Sequence, residues 1–543
     1  MHKKMAFVNG RVHTPLGVKE ALLIKGGRVT ELGSSADIAP AANLAGEGDM
    51  TVLDLKGRSV FPGFGDSHMH FMAWLESQEL LDLRSCKSID EMRTALKLYI
   101  ETHPVAEGGW YRGRGWNDAN WAEGRRPTRW DLDDLSPRNP VVLTRTCGHV
   151  AVANTVALKV AGVTADTHVE GGVIGIDSDG EPDGILCEAA GRYVYNHIPK
   201  LQDEDLRLLL KKYGPLVASF GLTQLHSDDV GMFGFDFRRA IGFYMKAERD
   251  GLLPFRVRQQ LMLPKRELLM DFLSEGWRTG DGTPFYQIGP LKLICDGSLG
   301  GRTAFLLHDY ADKPGDRGLA MFDQERLNEM IFIAHSSGMQ VAAHAIGDGA
   351  LEMCLNAFEA AQSESPGIFR HKIVHAQIAD DRQFDRMKNL QVGAAIQPSF
   401  VPSDRSMAIE RLGEQWASRS YRWKTMLRKG IVLSGGSDAP IESLRPLDGI
   451  HAAVTRQSQS ENPEESWTPE EKLSVAEAIS LYTWGNAWHG SNEKRRGEIS
   501  VGRDADLVVL ERDPFVEPVA DLWKIPVAMT LCGGNVTYIG ENW

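Results

Sequence analysis

The sequence predicts an α/β protein: a (β/α)8 TIM barrel, with a β-sandwich domain formed by both termini and an inserted mixed subdomain after barrel strand one. Three observations lead there. The middle of the chain alternates apolar, strand-length runs with amphipathic segments of helix length, as parallel βα units do. Both ends share a different texture, short β-like runs between glycine-rich turns. At 543 residues the chain is too long for one compact core.

In chain order, residues 5–9, 21–25 and 52–55 read as short strands, and 506–510, 526–531 and 536–539 repeat that texture at the far end. Joining the two ends in one small sandwich leaves fewer exposed sheet edges. This gives a composite domain of 1–60 plus 490–543 around a barrel of 61–489. Eight barrel strands are expected at 60–67, 223–227, 255–261, 291–296, 340–345, 372–376, 392–397 and 431–437. From the second onward the gaps suit a crossover helix, but the first is far too long for a loop. An insertion subdomain of about 85–215 is therefore expected over the barrel mouth. It carries Trp110, Trp116, Trp121 and Trp130, then an apolar run at 140–144 and a glycine-rich region at 171–184. The Ser/Glu/Pro-rich stretch 451–471 reads as a mobile surface or lid loop.

Composition narrows the function. The formal charge of −13 argues against nucleic acid or an anionic membrane as partner, since both reward a basic face. A small-molecule substrate is the expected partner, and a homo-oligomer is compatible with this reading. Cys86, Cys147, Cys187, Cys295, Cys354 and Cys532 have no paired spacing, so neither a disulfide framework nor a thiolate zinc site is expected. With no signal-peptide core at 1–10 and no run of about 18 apolar residues, a cytoplasmic protein is expected.

The strongest chemical signal is His68-Met69-His70 at the end of the first predicted barrel strand. Residues two apart on a strand share a face, so both imidazoles can converge on one point. By itself such a pair is also what surface or core histidines produce. Four further predicted strands end in a competent group: Lys292, His344, His375 and Asp438. Each has a plain alternative, an ion-pairing lysine, a satisfied core histidine or a turn aspartate before Pro440. In a closed barrel, however, all strand C-termini meet at one rim, where sites of this fold sit.

The order HxH, Lys, His, His, Asp on strands one, four, five, six and eight resembles the binuclear members of the amidohydrolase superfamily. Gly-Trp-Asn-Asp-Ala-Asn-Trp (115–121), Thr-Cys-Gly-His-Val-Ala-Val-Ala-Asn (146–154), Asp-Gly-Ser-Leu-Gly-Gly-Arg-Thr (296–303), His-Ala-Ile-Gly-Asp (344–348) and Gly-Ser-Asp-Ala-Pro (436–440) resemble the branch containing N-substituted formamide deformylases. The resemblance spans nearly the whole chain. It implies a metal-dependent hydrolase of a non-peptide C–N bond, in an N-acyl or N-formyl amine. His68 and His70 would hold the more buried metal and His344 and His375 the more exposed one. Lys292 would bridge them as a carbamate derived from CO2. Asp438 would touch the buried metal and act as general base, then acid, toward a nucleophilic hydroxide. Two Zn2+ ions suit this donor set, and Mn2+ or Fe2+ could replace them.

On the substrate side, Trp116, Asn117, Trp121, Arg145, Cys147 and His149 come from the insertion. The resemblance places His149 over the metals as a catalytic oxyanion holder, against the alternative of a structural turn histidine. Trp116 and Asn117 are candidate substrate contacts, although tryptophans more often simply pack a subdomain. Arg302 could reach the pocket or anchor its loop on Asp296. His226, at the end of predicted strand two, and Glu188 have no role that spacing assigns. Cys147 lacks any argument for a reactive thiolate. Competing readings are hydrolysis of a cyclic amide, carbamate or ester by the same metals, and an inactive barrel used for binding or assembly. The filled donor positions weigh against the latter.

Overall fold

The computed structural model describes residues 4–44, 50–118, 121–146, 148–169, 172–231, 235–367, 369–460 and 465–543. It divides into two compact units, 76–202 and the remainder.

The larger unit holds eight parallel strands hydrogen-bonded in sequence order: Phe64–Met69, Leu222–Asp228, Arg256–Met262, Tyr286–Ile294, Val341–Ala345, Lys372–His375, Gly393–Ile396 and Leu433–Gly435. They form a nearly closed barrel. Strand eight returns to strand one at the rim, where Asp438 N–H donates to His68 C=O and His70 N–H to Ala439 C=O, both at 2.8 Å. Strands four to seven read as largely apolar runs because helices cover their outer face, whereas strands one to three, FGDSHM, LTQLHSD and RVRQQLM, bury several polar side chains. Helix Phe237–Arg249, capped by Asp236, buries Phe237, Ala240, Ile241 and Tyr244. Helix Asp381–Asn389 starts on a capping box of Asp380 and Gln383.

The first barrel strand departs from the expected 60–67. The run is cut at Gly63: Ser59–Pro62 pairs with Arg11–Thr14 and Leu507–Leu510 in a terminal sheet, and only Phe64–Met69 joins the barrel. Gly63 permits the step, since a Cβ there would lie 2.4 Å from the Thr223 side chain.

The chain ends build two sheets. One runs Arg28–Gly33, Ala21–Lys25, Lys4–Val8, Met50–Asp54; the other runs Asn535–Ile539, Val527–Cys532, Leu507–Leu510, Ser59–Pro62, Arg11–Thr14, Gly17–Lys19. Met5, Phe7, Leu22 and Ile24 share one buried core with Val60, Leu507, Val509 and Leu531. A bidentate, buried pair fastens these sheets to the barrel: Arg256, first residue of barrel strand three, donates to Asp506 at 2.8 and 2.9 Å.

The smaller unit carries a six-stranded mixed sheet, ordered Gly172–Ile176, Pro182–Glu188, Val150–Ala153, Val141–Arg145, Tyr111–Trp116, Leu81–Asp82. Helix Ile89–Thr102 buries Ile89, Met92 and Leu96 in that unit's core. Helix Asp203–Ser219 belongs to the larger unit, as the crossover preceding barrel strand two.

The lid expected at 451–471 is not a loop at either described end. His451–Arg456 is buried, most of it in helix Pro446–Thr455, and Glu471 is buried, accepting from Thr425 N–H. The apolar run Ile450–Val454 within that helix outweighs the polar composition that follows. Among the described residues no helix is long and apolar enough to cross a membrane.

Candidate metal centre

Barrel strand one presents its histidines as the alternation requires. Met69 is buried against the barrel exterior side, while His68 and His70 face inward with ring centroids 5.2 Å apart. The His70 Nδ1 donates to Asp228 C=O at 2.9 Å, which leaves Nε2 for the centre. Asp438 Oδ1 lies 3.3 Å from His68 Nε2 and 3.2 Å from His70 Nε2. Donors about 2.1 Å from a shared tetrahedral ion stand roughly 3.4 Å apart, so this spacing is that of a common coordination point.

Lys292 reaches the same place from strand four. Its Nζ is 3.1 Å from His68 Nε2 and 3.2 Å from Asp228 Oδ2. Strands five and six add His344 and His375, with ring centroids 4.5 Å apart; His375 is 5.6 Å from the His68 ring. The His375 Nδ1 bonds Gln397 Oε1 at 2.8 Å, freeing Nε2, whereas His344 turns Nε2 toward Asp296 Oδ1 at 3.3 Å and leaves Nδ1 free. Asp296 in turn accepts from the N–H groups of Ile346, Gly347 and Phe305, so it orders the loops around His344. Two of these positions hold left-handed backbone, His375 at φ 76° and Asp438 at φ 57°. Such conformations in non-glycine residues persist where the surroundings over-determine them, commonly at functional sites.

A second carboxylate locks the ends of strands one and eight together. Asp66 Oδ1 accepts from His68 N–H at 3.0 Å, and Oδ2 accepts from Ser437 N–H at 3.0 Å and Ser437 Oγ at 2.6 Å. Gly436 lets the segments touch: a Cβ there would lie 2.7 Å from His68 N and 2.8 Å from Asp66 Oδ1.

The electrostatics favour a cation. Burial, helped by the charge of Lys292, holds His68 well below the usual imidazole range, and burial with the His344 charge lowers His375 to about 3. Both are neutral, the form that offers a lone pair. At His70 burial opposes protonation, but the hydrogen bond and charge of Asp438 and the charge of Asp228 overcome it and raise the ring to about 9. Asp438 stays below the ordinary carboxylate value despite its burial, because His70 and His375 stabilise the anion. Burial, with the charge of Asp438, pushes Asp66 up to about 7 against the hydrogen bonds it accepts from Ser437 and His68. Asp228 Oδ1 is buried with no hydrogen-bond partner, and donor atoms of His68, His70 and Asp228 lie within 4.8 Å of one another. Neutral His68 and His375, the ionised Asp438, which a cation would share with His70 in place of the His70 proton, and the unpartnered buried oxygen of Asp228 fit a divalent transition metal.

The other expected residues have different surroundings. His226 is fully buried one layer deeper in the barrel, its Nε2 2.6 Å from Gln224 Nε2, and Asp228 takes the rim position two residues on. Arg302 pairs with Asp312 and not with Asp296. In the smaller unit, Trp116 is buried in the core and donates from Nε1 to Leu143 C=O. Trp121 donates to Cys86 C=O, and Asn117 and Asp118 accept from Arg145. His149, half exposed, bonds Glu188 at 2.9 Å. Cys147 lies outside the described residues. Sequence reasoning missed Asp228, Asp66, Gln397 and Gln260, whose Nε2 lies 3.0 Å from His68 Nδ1. For Asp228 a signal existed: strand two runs on to Asp228, and period two puts Asp228 on the face of His226.

Residues 51–538 match the family model described as "Amidohydrolase family". The chain belongs to this family. The amidohydrolase is 37 % identical to the amidohydrolase YtcJ of Bacillus subtilis over 492 residues, 90 % of each chain. It is 27 % identical to N-substituted formamide deformylase of Arthrobacter pascens, covering 96 % of this chain and 95 % of the relative. Among solved structures, an uncharacterized metal-dependent hydrolase from Pyrococcus furiosus superposes with a TM-score of 0.77 at 32 % identity, covering 94 % of this chain and all of that one. The amidohydrolase is thus a metal-dependent hydrolase, and the family resemblance read from its motifs holds.

Proposed function

We propose that this amidohydrolase hydrolyses the C–N bond of an N-acyl or N-formyl amine with water as nucleophile. The observation that carries the reading is the convergence of Asp438 Oδ1 on His68 and His70 at 3.3 and 3.2 Å, beside Lys292 and the His344–His375 pair. The formamide deformylase relative supports the bond class.

His68 and His70 would hold one divalent cation and His344 and His375 a second, with Lys292, once carbamylated by CO2, between them. Zn2+ suits these donors, and Mn2+ or Fe2+ fits the same set. Bound divalent cations supply two things, a lowered pKa for water and polarisation of the scissile carbonyl. The chain does the rest. Asp438 is kept ionised by His70 and His375, so it enters the reaction as a base and can take the proton of the attacking water. It then returns that proton to the leaving nitrogen, because an amine leaves far more easily than an amide anion. Gln397 holds His375 in the tautomer that frees Nε2, and Asp66 with Ser437 keeps Asp438 in register with His68. His149 is our candidate for holding the oxyanion, with Asn117 and Arg302 as substrate contacts; Trp116, buried in its unit's core, packs instead. The five described cysteines are all free, which agrees with a reducing, cytoplasmic setting.

The test is a substrate panel offered to the Zn2+-, Mn2+- or Fe2+-reconstituted protein: N-formyl and N-acetyl amines, cyclic amides, carbamates and simple esters. Release of formate or acetate from the open-chain amides is expected to exceed turnover of the other classes. Preference for cyclic amides, carbamates or esters would move the assignment to that chemistry. No turnover by any metal form would leave the binding or assembly alternative.

A further inference from the structure

We infer that the chain with unmodified Lys292 holds a single divalent cation on His68, His70 and Asp228, with Asp228 as its anionic donor. This deepens the metal-dependent reading above and does not require the carbamate.

Asp228 ends barrel strand two and is 1 % exposed. Its backbone carbonyl already sets the orientation of His70, accepting from Nδ1 at 2.9 Å. Its side chain is half used: Oδ2 faces Lys292 Nζ at 3.2 Å, and Oδ1 is buried without a hydrogen-bond partner. An unpaired carboxylate oxygen in the interior is costly. The next residue shows the contrast. Asp229 Oδ1 accepts from Met72 N–H at 2.9 Å and Oδ2 from the Tyr244 hydroxyl at 2.7 Å, so it is fully engaged in structure. Of this adjacent pair it is Asp228 that faces the histidines, as Asp438 also does, and donor atoms of His68, His70 and Asp228 lie within 4.8 Å of one another.

Lys292 identifies what that donor set is for. Its ammonium sits 3.1 Å from His68 Nε2 and 3.2 Å from Asp228 Oδ2, a monovalent cation shared by two of the same donors. A divalent ion interacts about twice as strongly with the same carboxylate at the same distance. Loading therefore replaces one cation by a stronger one, and Lys292 competes with the metal until it is modified. Asp228 supplies the negative charge that the site needs during that stage.

The experiment is a Co2+ titration of the metal-stripped full chain in buffer freed of CO2, read by the visible absorption of bound Co2+ and by metal per chain. The unmodified protein is expected to retain one cation. Asp228→Asn should weaken it about 100-fold or more, an effect at the upper end of those known for residues around metal sites. Asp228→Glu should recover part of the affinity, which separates loss of a donor from loss of fold. Lys292→Met and His344→Asn should keep the single cation, Lys292→Met binding it at least as tightly as the unaltered chain. A cation retained by folded Asp228→Asn, or lost in folded Lys292→Met, overturns the inference. Binding only when bicarbonate is restored also overturns it, while no binding under either condition removes the metal-dependent reading itself.

Discussion

To act as the proposed base, Asp438 must both face the histidines and stay ionised, and its surroundings meet each demand separately. Its left-handed backbone, φ 57°, aims the carboxylate inward, and His70 and His375 hold it in the anionic form. Asp438→Asn keeps the shape and removes the base, so kcat is expected to fall by about 10²–10⁴, the usual worth of a positioned acid–base group, with the fold intact by circular dichroism. At His375 the relevant partner is Gln397. Gln397→Leu should lower affinity for the second cation by about 10–100-fold, measured by metal titration, because the imidazole loses the acceptor that fixes its tautomer. Unchanged affinity would remove Gln397 from the account.

At the scale of elements, the centre depends on how closely strand eight approaches strand one. Gly436→Ala would push a methyl group against His68 N and Asp66 Oδ1, both buried. A loss of about 1–3 kcal/mol, typical of overpacking, is expected in denaturant unfolding, together with poorer metal retention. Barrel strand six carries a different liability. His371, at its entrance, accepts from Val341 N–H and is lowered by burial, with a contribution from His335, to about 3. Its folded value lies below its unfolded one, so the stability it allows is complete above pH 6.5 and is lost as pH falls toward 3. The slope is at most about 1.4 kcal/mol per pH unit from this group. His371→Gln should flatten that part of the stability curve, and an unchanged acid limb would contradict the assignment.

The elements were also where the sequence was most readable. Strands four to eight stood out because parallel strands covered on both faces are largely apolar runs, whereas strands two and three, LTQLHSD and RVRQQLM, stood out by their place in the βα alternation. Strand one was misjudged at its start because the apolar stretch 60–64 is divided between two sheets, and nothing in hydropathy marks the change of partner at Gly63. His68, His70, Lys292, His344, His375 and Asp438 were legible as strand-end residues and as a family pattern. Asp66 and Gln397 were not, since their roles rest on hydrogen bonds between strands apart in sequence. Asp228 was passed over because the expected strand 223–227 stops one residue short of it.

Across the whole molecule, both chain ends are tied to the base of the barrel, so the terminal sheets and the catalytic unit are expected to unfold together. Arg256 and Asp506 are the most direct tie. Arg256→Met leaves Asp506 buried with Arg496 at 3.4 Å as its nearest remaining cation, and a loss of about 3–5 kcal/mol is expected in equilibrium unfolding, as for other broken buried pairs. A change below 1 kcal/mol would mean that the apolar contacts carry the junction alone.

The central claim is that strand-end donors make this fold a metal-dependent hydrolase of open-chain amides. It is tested most directly by formate release from an N-formyl amine, measured on the metal-stripped chain before and after a divalent cation is restored. The account predicts negligible release from the stripped protein, recovery with Zn2+, Mn2+ or Fe2+, and no recovery in His68→Asn. Equal turnover with and without metal, or full recovery in His68→Asn, would contradict it.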